Sequence, residues 1–181
     1  MSVAIAEAVR FVDTGYRVCR VGFEVLGQRA AAAQSIDTRI AVAETSRRLG
    51  ACLALWDNLR PDAVALRALS ETVQITLDES SVAAALSAEL AATDLADAAR
   101  AIVGAIVAAV EWVIDECSPM ADANFRVGLE QIAVQVRSTL ATPHPSHGVT
   151  DDGAASKIGV LTTSLLLGAR NSFSSPLTVP N

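Results

Sequence analysis

Four glutamates are the only residues of this chain whose types and spacing point to catalytic chemistry. Glu24 and Glu44 are separated by 20 residues, and Glu111 and Glu130 by 19. Helix turns near residues 34–35 and 119–120 would leave every one of them about nine or ten residues from its turn. At about 1.5 Å of rise per residue, the members of each pair then reach nearly one height. Each of four helices would supply one carboxylate to a common layer, which is the ligand set of a carboxylate-rich metal site. The same spacing admits a plainer reading. Arg20 precedes Glu24 by four residues, Arg48 follows Glu44 by four, and Arg126 precedes Glu130 by four. Exposed helical ion pairs of this kind are worth a few tenths of a kcal/mol each and need no metal. A residual polar core is a third reading.

Glu111 stands apart, because it interrupts the most apolar stretch of the chain. With Arg100, Gly104, Ala108 and Asp115 it forms a stripe of small and charged residues on one side of a helix. That stripe reads either as a narrow exposed strip or as a close helix or subunit contact with Glu111 paired to an arginine, Gly104 and Ala108 being its candidate contact residues. An unpaired carboxylate buried there would be costly or would shift its pKa upward.

The elements that must position these residues are helices. From Val9 the apolar positions Val9, Val12, Tyr16, Cys19, Phe23 and Leu26 recur at three- and four-residue steps, which predicts a helix over about 3–33. Glu7, Arg10, Asp13, Arg17, Arg20, Glu24 and Gln28 are expected on its opposite, charged side. Ser35 or Asp37 caps a second helix that runs to about Leu59 before Pro61, with Ile40, Val42, Leu49, Leu53 and Trp56 inward. The short connection makes these two an antiparallel hairpin. Residues 60–93 read as a crossover with short helices carrying Leu66, Leu69, Val73, Leu86 and Leu90. Thr93 or Asp94 caps a third helix, about 94–117, apolar nearly all round and therefore central. After a turn at Ser118 to Asp122, a fourth helix to about Leu140 directs Phe125, Leu129, Ile132 and Val136 inward. The fold class is thus all-α: a four-helix bundle of two antiparallel hairpins over residues 1–141, with a long helical crossover. Residues 142–181 form a linker, a short helix near 154–170 with Ile158, Leu161 and Leu165 inward, and an extended C-terminal tail.

Two hairpins joined by one long crossover, with one Glu per helix, resemble the ferritin-like superfamily over residues 3–141. In that family two Glu-x-x-His motifs and two further Glu bind a pair of metal ions, usually iron. The resemblance implies Glu24 and Glu111 as the lone carboxylates, and Glu44 and Glu130 as the carboxylates of the two motifs. The histidine positions hold Arg47 and Ala133 instead, and no His precedes His144. Neither replacement supplies an imidazole ligand.

Composition narrows the function further. The chain has 181 residues, 51% of them hydrophobic, and a formal net charge of −6 with Lys157 as its one lysine, a poor match to a phosphate backbone. Cys19, Cys52 and Cys117 are widely spaced and are expected as reduced, buried thiols. The N-terminus lacks a basic region before an apolar core, and the longest apolar run, Ala101 to Val110, falls short of the about 20 residues a membrane span needs. A cytoplasmic protein is expected. No nucleophile elbow, P-loop or dinucleotide fingerprint is present. His144 and His147 sit in a Pro-rich linker without neighbouring ligands. Trp56 and Trp112 are expected as core or interface anchors. Leu165 and Leu177 mark apolar pieces of the tail, which are expected to pack back on the bundle and otherwise to bind a protein partner. The reading that follows is a non-catalytic, ferritin-like scaffold without a cofactor, acting through protein contacts as a homodimer. The alternatives are a carboxylate-rich oxidase using iron or manganese on Glu24, Glu44, Glu111 and Glu130, and a helical bundle that binds a small molecule.

Overall fold

The computed structural model describes residues 4–60, 83–88, 94–138 and 152–171, with the side chains of the last segment described over 157–167. Every element among them is an α-helix, and no described residue lies in a strand. The long helices are α1 (Ile5–Ala32), α2 (Ile36–Asn58), α3 (Leu95–Glu116), α4 (Ala123–Arg137) and α5 (Asp152–Asn171). A shorter helical segment occupies 83–88. The expectations for Leu66, Leu69, Val73, Leu90, Leu140 and Leu177 lie outside the described residues. No described helix is long and apolar enough to cross a membrane.

Local sequence signals explain where these helices begin. Ser35 is the N-cap of α2, its hydroxyl accepting from the Thr38 amide at 3.5 Å, and Asp94 caps α3 by accepting from the amides of Ala96 and Asp97. In the turn after α3, the Asp122 carboxylate accepts from the Ser118 amide at 2.8 Å. The fourth helix ends at Arg137, short of the expected Leu140.

The helix α3 is the centre of the molecule, as its all-round apolar sequence predicts. It packs against α1, α2, α4 and α5, and buries Ile102, Val103, Ile106, Val107, Val110 and Val113. The contacts between α1 and α2 run in opposite order along the two helices. A Cβ at Gly15 would lie 2.5 Å from Trp56 Cη2, and one at Gly22 would lie 2.9 Å from Leu49 Cδ1. Side chains of α2 thus fill the space that glycine leaves on α1, so the two backbones approach closely. Phe11 meets Trp56 edge-on with ring centroids 5.7 Å apart, and the indole N–H points to Cys19 Sγ at 3.2 Å. On α2 and α4 the order is again reversed, with Leu59 against Gly128 and Arg48 bonded to Ser138.

Two expectations about side-chain direction fail. Arg10, Asp13 and Arg17, expected on a charged outer side, are buried. Periodicity gives α1 a single apolar side, whereas α1 is flanked by both α2 and α5, which leaves little of its circumference in solvent. Ile40 is the reverse case: expected inward, it is exposed, as is Phe23 in part. Ser138, the C-cap of α4, meets α2 at Arg48, so the N-terminal turns of α2 extend beyond the cover that α4 itself provides. Phe23 lies across the face of Gly50 rather than within the core. The final helix is longer than expected and packs against α1 and α3. Ile158, Thr162 and Leu166 are its deepest residues, with Leu161 and Leu165 half-buried against the core.

Candidate functional site

The four glutamates each lie against an arginine. Arg20 Nε donates to Glu24 Oε1 at 3.2 Å, and Arg126 Nε to Glu130 Oε1 at 2.9 Å. Glu44 receives two bonds from Arg47, at 2.7 and 2.8 Å, and one from Arg48 at 2.7 Å. These donors, Arg47 first, hold its carboxyl down at about 2. Glu111 pairs with Arg137 across the α3–α4 contact. The four side chains keep 52%, 34%, 46% and 48% of their surface exposed, in chain order. Among the described residues, no group of three or more His, Cys, Asp or Glu is placed to hold a metal ion. The spacing argument brought pairs to similar heights on the helices, but height does not set the direction around a helix. Arg47, the residue standing in a histidine position, is itself the strongest partner of Glu44.

A different polar group is buried, and spacing alone did not reveal it. Asp13, 1% exposed, accepts from Arg60 Nε at 2.9 Å. The Arg60 guanidinium also lies over the Tyr16 ring, 4.1 Å from its centroid. This contact ties the end of α2 to α1 at the point where the chain leaves for the crossover. At the other end, Arg29 donates to the Ser87 carbonyl at 3.2 Å. Arg60, the last described residue before the crossover, therefore lies beside Asp13, and Ser87 lies beside Arg29 near the other end of α1.

The three thiols are buried and free, as their apolar surroundings predict. Burial pushes Cys52 up to about 11 and raises Cys19 and Cys117 as well, which favours the protonated thiol at each. Trp56 is the core anchor expected of it, while Trp112 on α3 is 38% exposed. An apolar groove of about 360 Å3 opens at one end of the molecule, between the start of α1, Leu59 and the α3–α4 turn. Ile5 and Met120, both largely exposed, stand at its rim.

The candidate contact stripe on α3 is open. Among the described residues, nothing beyond α3's own backbone lies within 4 Å of where a Cβ on Gly104 would be, and Ala108 and Asp115 are exposed. Leu165 instead packs against the core. No protein-family model matches the chain, and comparison with curated proteins and with solved structures returns no match.

Proposed function

We propose that this protein is a non-catalytic, cytoplasmic scaffold with a ferritin-like helical arrangement, acting through protein–protein contacts as a homodimer. In this reading α1–α2 and α3–α4 are two antiparallel hairpins, joined by one long crossover, and α5 is an added helix against α1 and α3. The reversed order of contacts on α1 and α2 supports the first hairpin, and the short turn at Ser118 to Asp122 supports the second. The placement of Arg60 beside Asp13 and of Ser87 beside Arg29, near opposite ends of α1, supports the single long crossover.

The observation that carries the reading is the state of the four carboxylates. Positions that would have to converge on a metal pair are each satisfied by arginine and partly open to water. Exposed Ile36, Ile40, Val127 and Val134 supply apolar surface suited to association. Light scattering on a size-exclusion column is expected to give a mass of two chains at high concentration. A strict monomer overturns the reading. So does metal analysis of protein grown with added iron and manganese, if it returns near two ions per chain that are lost on Glu44→Ala.

A further inference from the structure

We infer that Cys19 and Cys52 are a facing dithiol pair in the α1–α2 seam, which a small-molecule disulfide converts into an intrachain disulfide that locks the first hairpin. The inference goes beyond the scaffold reading and does not depend on dimerisation.

The register of the seam sets the two thiols opposite each other. Trp56 fills the space beside Gly15, and Leu49 the space beside Gly22. Both steps, Gly15 to Gly22 on α1 and Trp56 back to Leu49 on α2, are seven residues long. Cys19 follows Gly15 by four residues and precedes Gly22 by three; Cys52 precedes Trp56 by four and follows Leu49 by three. Each cysteine therefore lies at the same level as the other. Each also lies on the helix face that carries the two flanking contacts, because residues three and four apart share a face. Both are 0% exposed. The glycines on either side of Cys19 let the two backbones approach closely, and a disulfide needs that, since it joins Cα atoms roughly 4.4–6.8 Å apart.

Two contacts agree with this placement. The Trp56 indole N–H, one turn beyond Cys52, reaches across the seam to Cys19 Sγ at 3.2 Å. After burial, the charge of Cys52 is the next cause that raises Cys19, as expected of neighbouring sulfurs.

Oxidised glutathione represents the oxidant class. The thiolate of one cysteine attacks a glutathione sulfur, forming a mixed disulfide and releasing one glutathione thiolate. The thiolate of the other cysteine then attacks the protein sulfur of that mixed disulfide, closes the Cys19–Cys52 bond and releases the second glutathione thiolate. The two protons given up by the cysteines go to the two departing thiolates, and two electrons pass to glutathione. Burial keeps both groups as thiols while the seam is closed, so exchange proceeds from local openings of α1 from α2. Cys117, the C-cap of α3, belongs to neither helix of the seam and stays reduced.

The full chain is equilibrated with oxidised and reduced glutathione in urea below its unfolding midpoint, and its thiols are counted after acid quenching and denaturation. The wild type is expected to fall from three thiols per chain to one, and digestion should yield a linked fragment carrying Cys19 and Cys52. The oxidised chain should keep its helical signal and unfold at higher urea, and reduction should reverse the shift. The ratio of intrachain disulfide to dithiol should be at least about tenfold higher in the folded chain than in denaturing urea, because a bond that stabilises the fold is favoured by it. Cys117→Ser should behave as the wild type, whereas Cys52→Ser should form no intrachain bond. Three thiols remaining, glutathione adducts that never close, a bond to Cys117, or an oxidised chain that unfolds at lower urea would each overturn the pairing.

Discussion

The seam between α1 and α2 and the outward face of α3 are built from the same device, a glycine in mid-helix, and end up in opposite states. At Gly15 and Gly22 the missing side chain is replaced by Trp56 and Leu49, and the seam is closed. At Gly104 no described residue fills the space, and an exposed alanine and a partly exposed tryptophan follow it. The comparison teaches that a helical glycine is informative only together with what stands opposite it. A filled notch is a packing device, whereas a notch that no described residue fills makes no such contact to the seam.

The largest expected effect breaks the closed seam from its filled side. Trp56→Ala removes a fully buried indole that contacts Phe11 and Cys19, and should cost about 3–5 kcal/mol in urea unfolding. Next, Gly15→Val overfills the same place, since even its Cβ collides with the ring; a loss of roughly 1–3 kcal/mol is expected from a shift in the urea midpoint. A cost below 0.5 kcal/mol, on the order of a surface substitution, would show that the seam is not tightly packed. Gly104→Ala should do the reverse, raising the stability of dilute, monomeric protein by up to ~1 kcal/mol through helix propensity alone. Destabilisation there would mean that the notch is filled within the chain. The smallest effect concerns the surface carboxylates. Glu44 is held down at about 2 by Arg47 and Arg48, so its contribution is fully present above the ordinary carboxylate value and is lost as pH falls from about 4.5 toward 2. The difference in melting temperature between the wild type and Glu44→Gln should be flat from pH 6 to 8 and close over that acid interval.

Much of the candidate site could be read from spacing. The pairs Arg20–Glu24, Glu44–Arg48 and Arg126–Glu130 follow from separation by one helical turn, which sets side chains on the same face whatever else the fold does. That Glu111 could pair with an arginine at a helix contact was one reading of the stripe, but Arg137 as the partner did not follow, because the two are on different helices and only the α3–α4 packing brings them together. The Asp13–Arg60 contact was hidden for the same reason, and the charged pattern around Asp13 pointed outward. The stripe through Gly104 and Ala108 was visible as a pattern, but not its openness, which depends on where every neighbouring helix lies.

What the sequence by itself determined are the properties that depend on neighbours along the chain. These are the helical class, the capping segments that hold Ser35 and Asp94, the centrality of α3 and the seclusion of the three thiols. They follow from 3.6-residue periodicity and from local hydrogen bonding. Tertiary structure alone decided which side of each helix is covered. It turned Arg10, Asp13 and Arg17 inward and left Ile40 outside, because burial is set by how many helices flank a given face and how far they extend. It also filled the notches at Gly15 and Gly22, while no described residue fills that at Gly104, since the filling of a notch is a property of the helix opposite it.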